Sequence, residues 1–220
     1  MTAARHALAE GEYGLAAQRL IYARDADPQN PAVLRLMTFA FWQDGEIDAA
    51  ARSVRAWARV EPERPAPQRF ASRIYEQMRA FDLASEAAER AAALAPQDAD
   101  AGERVGRLAL RTGNPSRAAE ALEQARELAP TVEGLLDLAL ANQLLGELGG
   151  ELTACEQATV LEPEFGPAWS RLAHALARSD RVSDAIAAAE RALALEPGDI
   201  ELTELLAQLL EREPRALPAA

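Results

Sequence analysis

Apolar residues recur in this chain at steps of three and four, the spacing that lays them along one face of an α-helix. AVLRLMTFAFWQ (residues 32–43) is followed by the polar joint DGEI and then by DAAARSVRAWARVEP, which closes at Pro62. PAWSRLAHALAR, SDRV and SDAIAAAERALALEP repeat that order and close at Pro197. The pattern predicts two helices per segment, joined at Asp, Gly or Ser and stopped by proline, which lacks an N–H and clashes with the preceding turn. The prolines that end such segments are Pro28, Pro62, Pro96, Pro130, Pro163 and Pro197, at successive spacings of 34, 34, 34, 33 and 34 residues. A fixed period of this kind is the signature of a repeat architecture.

With proline at repeat position 32, the sixth segment aligns Trp169, Leu172, Ala173 and Leu176, then Ala185, Ala189, Ala192 and Pro197. The second aligns Leu34, Met37, Thr38 and Phe41, then Ala50, Val54, Trp57 and Pro62. Gly11, Gly45, Gly113 and Gly146 all fall at position 15, between the helices. Over residues 2 to 197 this resembles the tetratricopeptide repeat family, whose 34-residue unit is a helix–turn–helix. The resemblance implies an all-α fold, an α-solenoid in which antiparallel helix pairs form a right-handed superhelix. It is expected as one domain over residues 1–213, with 214–220 as a flexible tail. Small residues at Ala50, Ala84, Ala118 and Ala185 would let paired backbones approach closely.

The fifth unit is one residue short, just after Pro130, and puts Glu151 at position 20 where the family keeps a small residue. A local irregularity is expected there. The first unit begins late, so its first helix should cover about residues 2 to 10. After Pro197, DIELTELLAQLLERE reads as an extra amphipathic helix over about 199–213. Glu201, Glu204, Gln208 and Glu211 suit the polar outer face of a terminal cap. At the N-terminus no equivalent cap is visible.

Composition narrows the function. The chain has a formal charge of −12, which repels nucleic acid and anionic membranes alike. Every basic residue is arginine, in keeping with a GC-rich bacterial genome. No apolar run approaches the roughly 20 residues of a spanning helix, no signal peptide is apparent, and a cytoplasmic location is expected. His6 and His174 are the only histidines, and Cys155 is the only cysteine, so no metal, cofactor or catalytic residue is expected. Cys155 is expected to be a buried structural thiol. Glu86 with Arg90 and Glu123 with Arg126 read as helix-surface charge pairs.

In the tetratricopeptide family, ligand contacts come largely from the first helix of each pair, which lines the concave wall. Carried onto this chain, that implies a peptide site of Arg35, Phe39, Trp42, Arg69, Arg73, Arg104, Arg107, Arg111, Leu136, Leu140, Arg171, His174 and Arg178. The eight arginines face five acids at equivalent positions (Glu76, Asp100, Glu103, Glu133, Asp137), a wall of net charge about +3. Guanidinium forks match carboxylates, so the expected partner is a protein or peptide segment that is acidic or amphipathic. Phe39 and Trp42 would anchor its apolar residues at one end and the Leu136/Leu140 strip would do so further along. The lysine-and-asparagine clamp by which chaperone-binding members hold a C-terminal carboxylate is missing, since the chain has no lysine. The expected function is therefore a non-catalytic scaffold or adaptor. The alternatives are a homodimer or larger self-assembly, and a regulatory subunit of a separate enzyme; pairing of the arginines with neighbouring acids is the competing account of the wall.

Overall fold

The computed structural model describes residues 2–212; the expected tail over 214–220 lies outside the described residues. Thirteen helices and no strand are found among the described residues. Six pairs run α1 (Thr2–Ala9) with α2 (Tyr13–Ala26), α3 (Pro31–Gln43) with α4 (Ile47–Val60), and α5 (Pro65–Gln77) with α6 (Phe81–Leu94). They continue as α7 (Ala99–Arg111) with α8 (Pro115–Leu128), α9 (Val132–Leu145) with α10 (Leu148–Leu161), and α11 (Gly166–Arg178) with α12 (Val182–Leu195). The extra helix α13 spans Ile200–Arg212. The fold is all-α, built from repeated helix pairs of the α-solenoid class.

Every second helix is 14 residues long and ends two residues before the proline that marks its repeat. The starts have their own signals. The Asn30 side chain accepts from the N–H groups of Ala32 and Val33, with Pro31 following it as the first helical residue. α9 begins two residues after Pro130, whereas α3, α5, α7, α11 and α13 begin three after theirs. The missing residue of the fifth unit therefore lies in that loop, where Thr131 caps α9 by accepting from Gly134 N–H at 3.0 Å.

Position 15 is left-handed in all six units. Gly11, Gly45, Gly113 and Gly146 have φ of 76–82°, and in the third and sixth units Arg79 and Asp180 adopt φ 60° without being glycine. The turn geometry is fixed by the repeat, and two units tolerate the strain of a side chain there.

The chain divides into two compact units, residues 1–112 and 113–220. In the first, each helix packs on its sequence neighbours from α1 to α7; in the second, the same holds from α8 to α13. The first holds a cluster around Leu20, Val33 and Met37 and another around Val54, Trp57 and Ile74. The second holds a cluster of Val132, Leu135, Ala158 and Ala168. Ala50, Ala84, Ala118 and Ala185 have no exposed surface, as their place at position 20 requires. Glu151 occupies that position in the fifth unit and is 1% exposed.

Candidate functional site

The thirteen expected wall residues all lie on first helices: α3, α5 and α7 in the first unit, α9 and α11 in the second. Several of them already have partners. Phe39 meets Tyr13 edge-on, with ring centroids 6.0 Å apart. Trp42 meets Phe70 edge-on at 5.7 Å and donates from its indole N–H to Gln77 Oε1 at 2.8 Å. Both aromatic residues therefore connect successive repeats.

Arg69, Arg104, Arg111 and Arg178 hold acids. Arg69 pairs with Asp98, the residue preceding α7. Arg104 donates from Nε to Ser72 Oγ at 2.7 Å and from Nη2 to Glu76 Oε2 at 2.8 Å. Arg111 donates from Nη1 to the other oxygen of Glu76 at 2.5 Å, with its guanidinium carbon 5.2 Å from the centre of the Phe81 ring. Burial pushes the Glu76 carboxyl up, but the hydrogen bonds and charges of Arg104 and Arg111 outweigh it and hold the group below its ordinary range. Burial lowers the pKa of Arg104, opposed by Glu76 and reinforced by the charges of Arg73 and Arg107.

In the second unit, Arg178 pairs with the buried Glu151. Burial raises the Glu151 pKa, against the lowering effect of Arg178 and Arg171. Cys155, one turn along from Glu151, is fully buried, and its thiol is pushed up to about 12 by burial and then by Glu151. Such a thiol stays protonated and unreactive. Burial, followed by the charge of Arg178, lowers the pKa of His174, while Asp199 and Glu201 oppose the shift.

Arg35, Arg73, Leu136, Leu140 and Arg171 remain with at least part of their surface open. Leu136, Leu140 and Leu144 stand four residues apart on α9, so they form one stripe, and its outer end, Leu144, is 60% exposed. α9 is in contact with α11, which carries Arg171 and His174.

One feature escaped the first-helix mapping. A cleft of about 630 Å³ lies between the second helices α4 and α6, floored by α5 and lined by Arg55, Arg59, Tyr75, Leu83 and Arg90. Its signal was legible in RSVRAWAR, where arginines fall at 52, 55 and 59 on a single helix face. Glu76, already among the five mapped acids, works as an inter-repeat clamp on Arg104 and Arg111. Among the described residues no group of three His, Cys, Asp or Glu is placed to hold a metal, and no helix is long and apolar enough to cross a membrane.

Repeated helix pairs, a left-handed residue at each inter-helix turn and ion pairs between successive first helices define a helical-repeat interaction protein. The chain belongs to the tetratricopeptide repeat family: models of that repeat match residues 7–74, 104–167 and 166–209. No curated protein matches the sequence. Among solved structures, the C-terminal part of a tetratricopeptide protein from Cytophaga hutchinsonii has a TM-score of 0.76 at 15% identity, covering 96% of this chain and 85% of the other. YrrB, a tetratricopeptide protein with an unusual peptide-binding site, has a TM-score of 0.75 at 15% identity, covering 86% of this chain and 97% of YrrB. The APC/C hetero-tetramer Cut9–Hcn1 has a TM-score of 0.60 at 19% identity; 94% of this chain is covered, but it spans only 42% of that longer chain.

Proposed function

We propose that this chain is a non-catalytic scaffold that holds an acidic or amphipathic segment of another protein against its first helices. The observation that carries the reading is the leucine stripe of α9, open at Leu144, beside the α11 helix that bears Arg171 and His174. An amphipathic segment would lay its apolar residues on Leu136, Leu140 and Leu144 and its carboxylates toward Arg171. In the first unit, Arg35 and Arg73 are the corresponding cationic contacts. Arg69, Arg104, Arg111 and Arg178 act in this reading mainly as struts between repeats, because their acids are supplied internally. Family membership supports a protein-binding role, and the likeness to YrrB supports a peptide as the ligand. Work in the cytoplasm fits a protein whose single thiol is buried.

The test is a selection of random displayed peptides on the full chain, repeated on a Leu140→Glu, Arg171→Glu variant checked for helix content. Recovery of peptides combining Asp or Glu with apolar residues, at least ten-fold weaker on the variant, supports the reading. Peptides without acidic enrichment, or ones that bind the variant equally, overturn it.

A further inference from the structure

Three arginines of the first unit stand together on one second helix, α4. On α4, Arg52, Arg55 and Arg59 fall at steps of three and four, so they form one line, and all three are exposed. None of the three makes a salt bridge among the described residues; Arg55 spends its Nε–H on the Ala51 carbonyl at 3.1 Å. Arg55 and Arg59 overhang the cleft between α4 and α6, whose wall includes Leu83, 49% exposed, and Leu94. Arg90, on the opposite wall, is held by Glu86 at 2.6 Å. A cationic edge above an apolar trough suits an amphipathic helix with glutamates on its outer line.

The chain carries such a helix. α13 buries Leu202 and Leu209 against the preceding repeat, and no later helix covers its other side among the described residues. Its outward line is Ile200, Glu204, Ala207 and Glu211, at steps of four, three and four, and all four are exposed. Leu210, beside that line, is 51% exposed. Glu204 and Glu211 are two turns apart, as are Arg52 and Arg59, so each pair spans about 10.5 Å along its helix axis. Antiparallel seating brings Glu211 to Arg52 and Glu204 to Arg59. It also keeps Glu201 away from Asp48, an acid at the start of the α4 line.

We propose that α13 of one copy docks along α4 and the α4/α6 cleft of a second copy, giving a head-to-tail self-association independent of the first-helix site. The two faces are unlike, so the contact is heterologous and propagates unless a ring closes it. A 13-residue helix is about 20 Å long, so the interface is small and the association belongs in the micromolar range or weaker.

Sedimentation velocity of the full chain, run over a concentration series at low and high salt, provides the test. The wild type is expected to show a mass that rises with concentration past the dimer or to a closed ring, and that falls with added salt. Arg52→Glu with Arg59→Glu, and separately Glu204→Arg with Glu211→Arg, should each weaken association at least ten-fold. Mixing the two double variants should restore it, because either cross-pairing is again complementary. All four positions are exposed, and circular dichroism checks that each variant stays helical. A wild type that is monomeric throughout overturns the proposal and leaves the cleft to an acidic helix of some other protein. Association that survives both double variants, or that the mixture fails to restore, overturns it as well.

Discussion

Arg104 and Glu76 are 28 residues apart in sequence and 2.8 Å apart in space, and Arg111 closes the clamp from the next turns of the same helix onto the second carboxylate oxygen at 2.5 Å. One carboxylate on α5 thus holds two guanidinium groups of α7. The side chain of Arg104 is 18% exposed, which leaves it poorly placed to recover solvation if its partner is lost. The clamp ties successive repeats together where ligand contacts would otherwise be expected.

Glu76→Gln should lower the stability of the first unit by about 1.5–3 kcal/mol at neutral pH, the range for a hydrogen bond to a charged group. Its partners hold the folded pKa of Glu76 below the ordinary value. The stabilisation is therefore present above the unfolded carboxylate pKa, about 4.3, and is lost as pH falls through the folded value. Urea melts of wild type and variant should differ at neutral pH and converge in acid. A difference independent of pH would mean that the ionised clamp is not what stabilises the contact.

Glu151 should behave in the opposite way. Burial raises its folded pKa, so its contribution is full below the unfolded pKa and is lost as pH rises through the folded one. Ionisation of Glu151 is thus penalised in the fold, at a site where other repeats place alanine. Glu151→Gln keeps an acceptor for Arg178, whose own side chain is 40% exposed and can reach water. The variant should match or exceed wild type at neutral pH by up to about 1 kcal/mol, with the gap closing in acid. A clear loss of stability at neutral pH would show that the charge of Glu151 is needed.

Helix order, helix ends and the short loop after Pro130 were legible because each rests on local chemistry: periodic apolar residues, a proline two residues beyond each second helix, and a count of spacings. The buried alanines and the buried thiol followed from repeat position. Which wall arginines are engaged was not legible from charge counting, because their acids come from the neighbouring repeat. The separations of 28, 35 and 27 residues joining Glu76 to Arg104, Glu76 to Arg111 and Glu151 to Arg178 bracket the repeat length. A search for opposite charges at about one period, instead of within one helix, would have found them. Glu86 with Arg90 and Glu123 with Arg126 were found from sequence because three- and four-residue spacing needs no tertiary information.

Ala185 is fully buried where α12 meets α11. Ala185→Leu adds three carbons where backbones approach closely, and should cost about 1–3 kcal/mol through overpacking. The midpoint of urea unfolding should fall with an unchanged slope. A variant as stable as wild type would mean that the pair can open to admit the side chain.

Arg79 sits at position 15 of the third unit with φ 60°, where four other units use glycine at φ 76–82°. An L-residue in this region is strained by roughly 1–2 kcal/mol, and glycine recovers most of that while giving back part through its more flexible unfolded chain. Arg79→Gly should therefore raise stability by about 0.5–1 kcal/mol. The backbone bond from Arg79 N–H to Glu76 C=O, 2.9 Å, needs no side chain and should persist. The Arg79 side chain is exposed and makes no salt bridge among the described residues, so little else should change. Thermal unfolding gives the reading. A higher midpoint assigns the cost to the left-handed backbone, and a lower one would mean that the arginine side chain stabilises the turn by more than its strain.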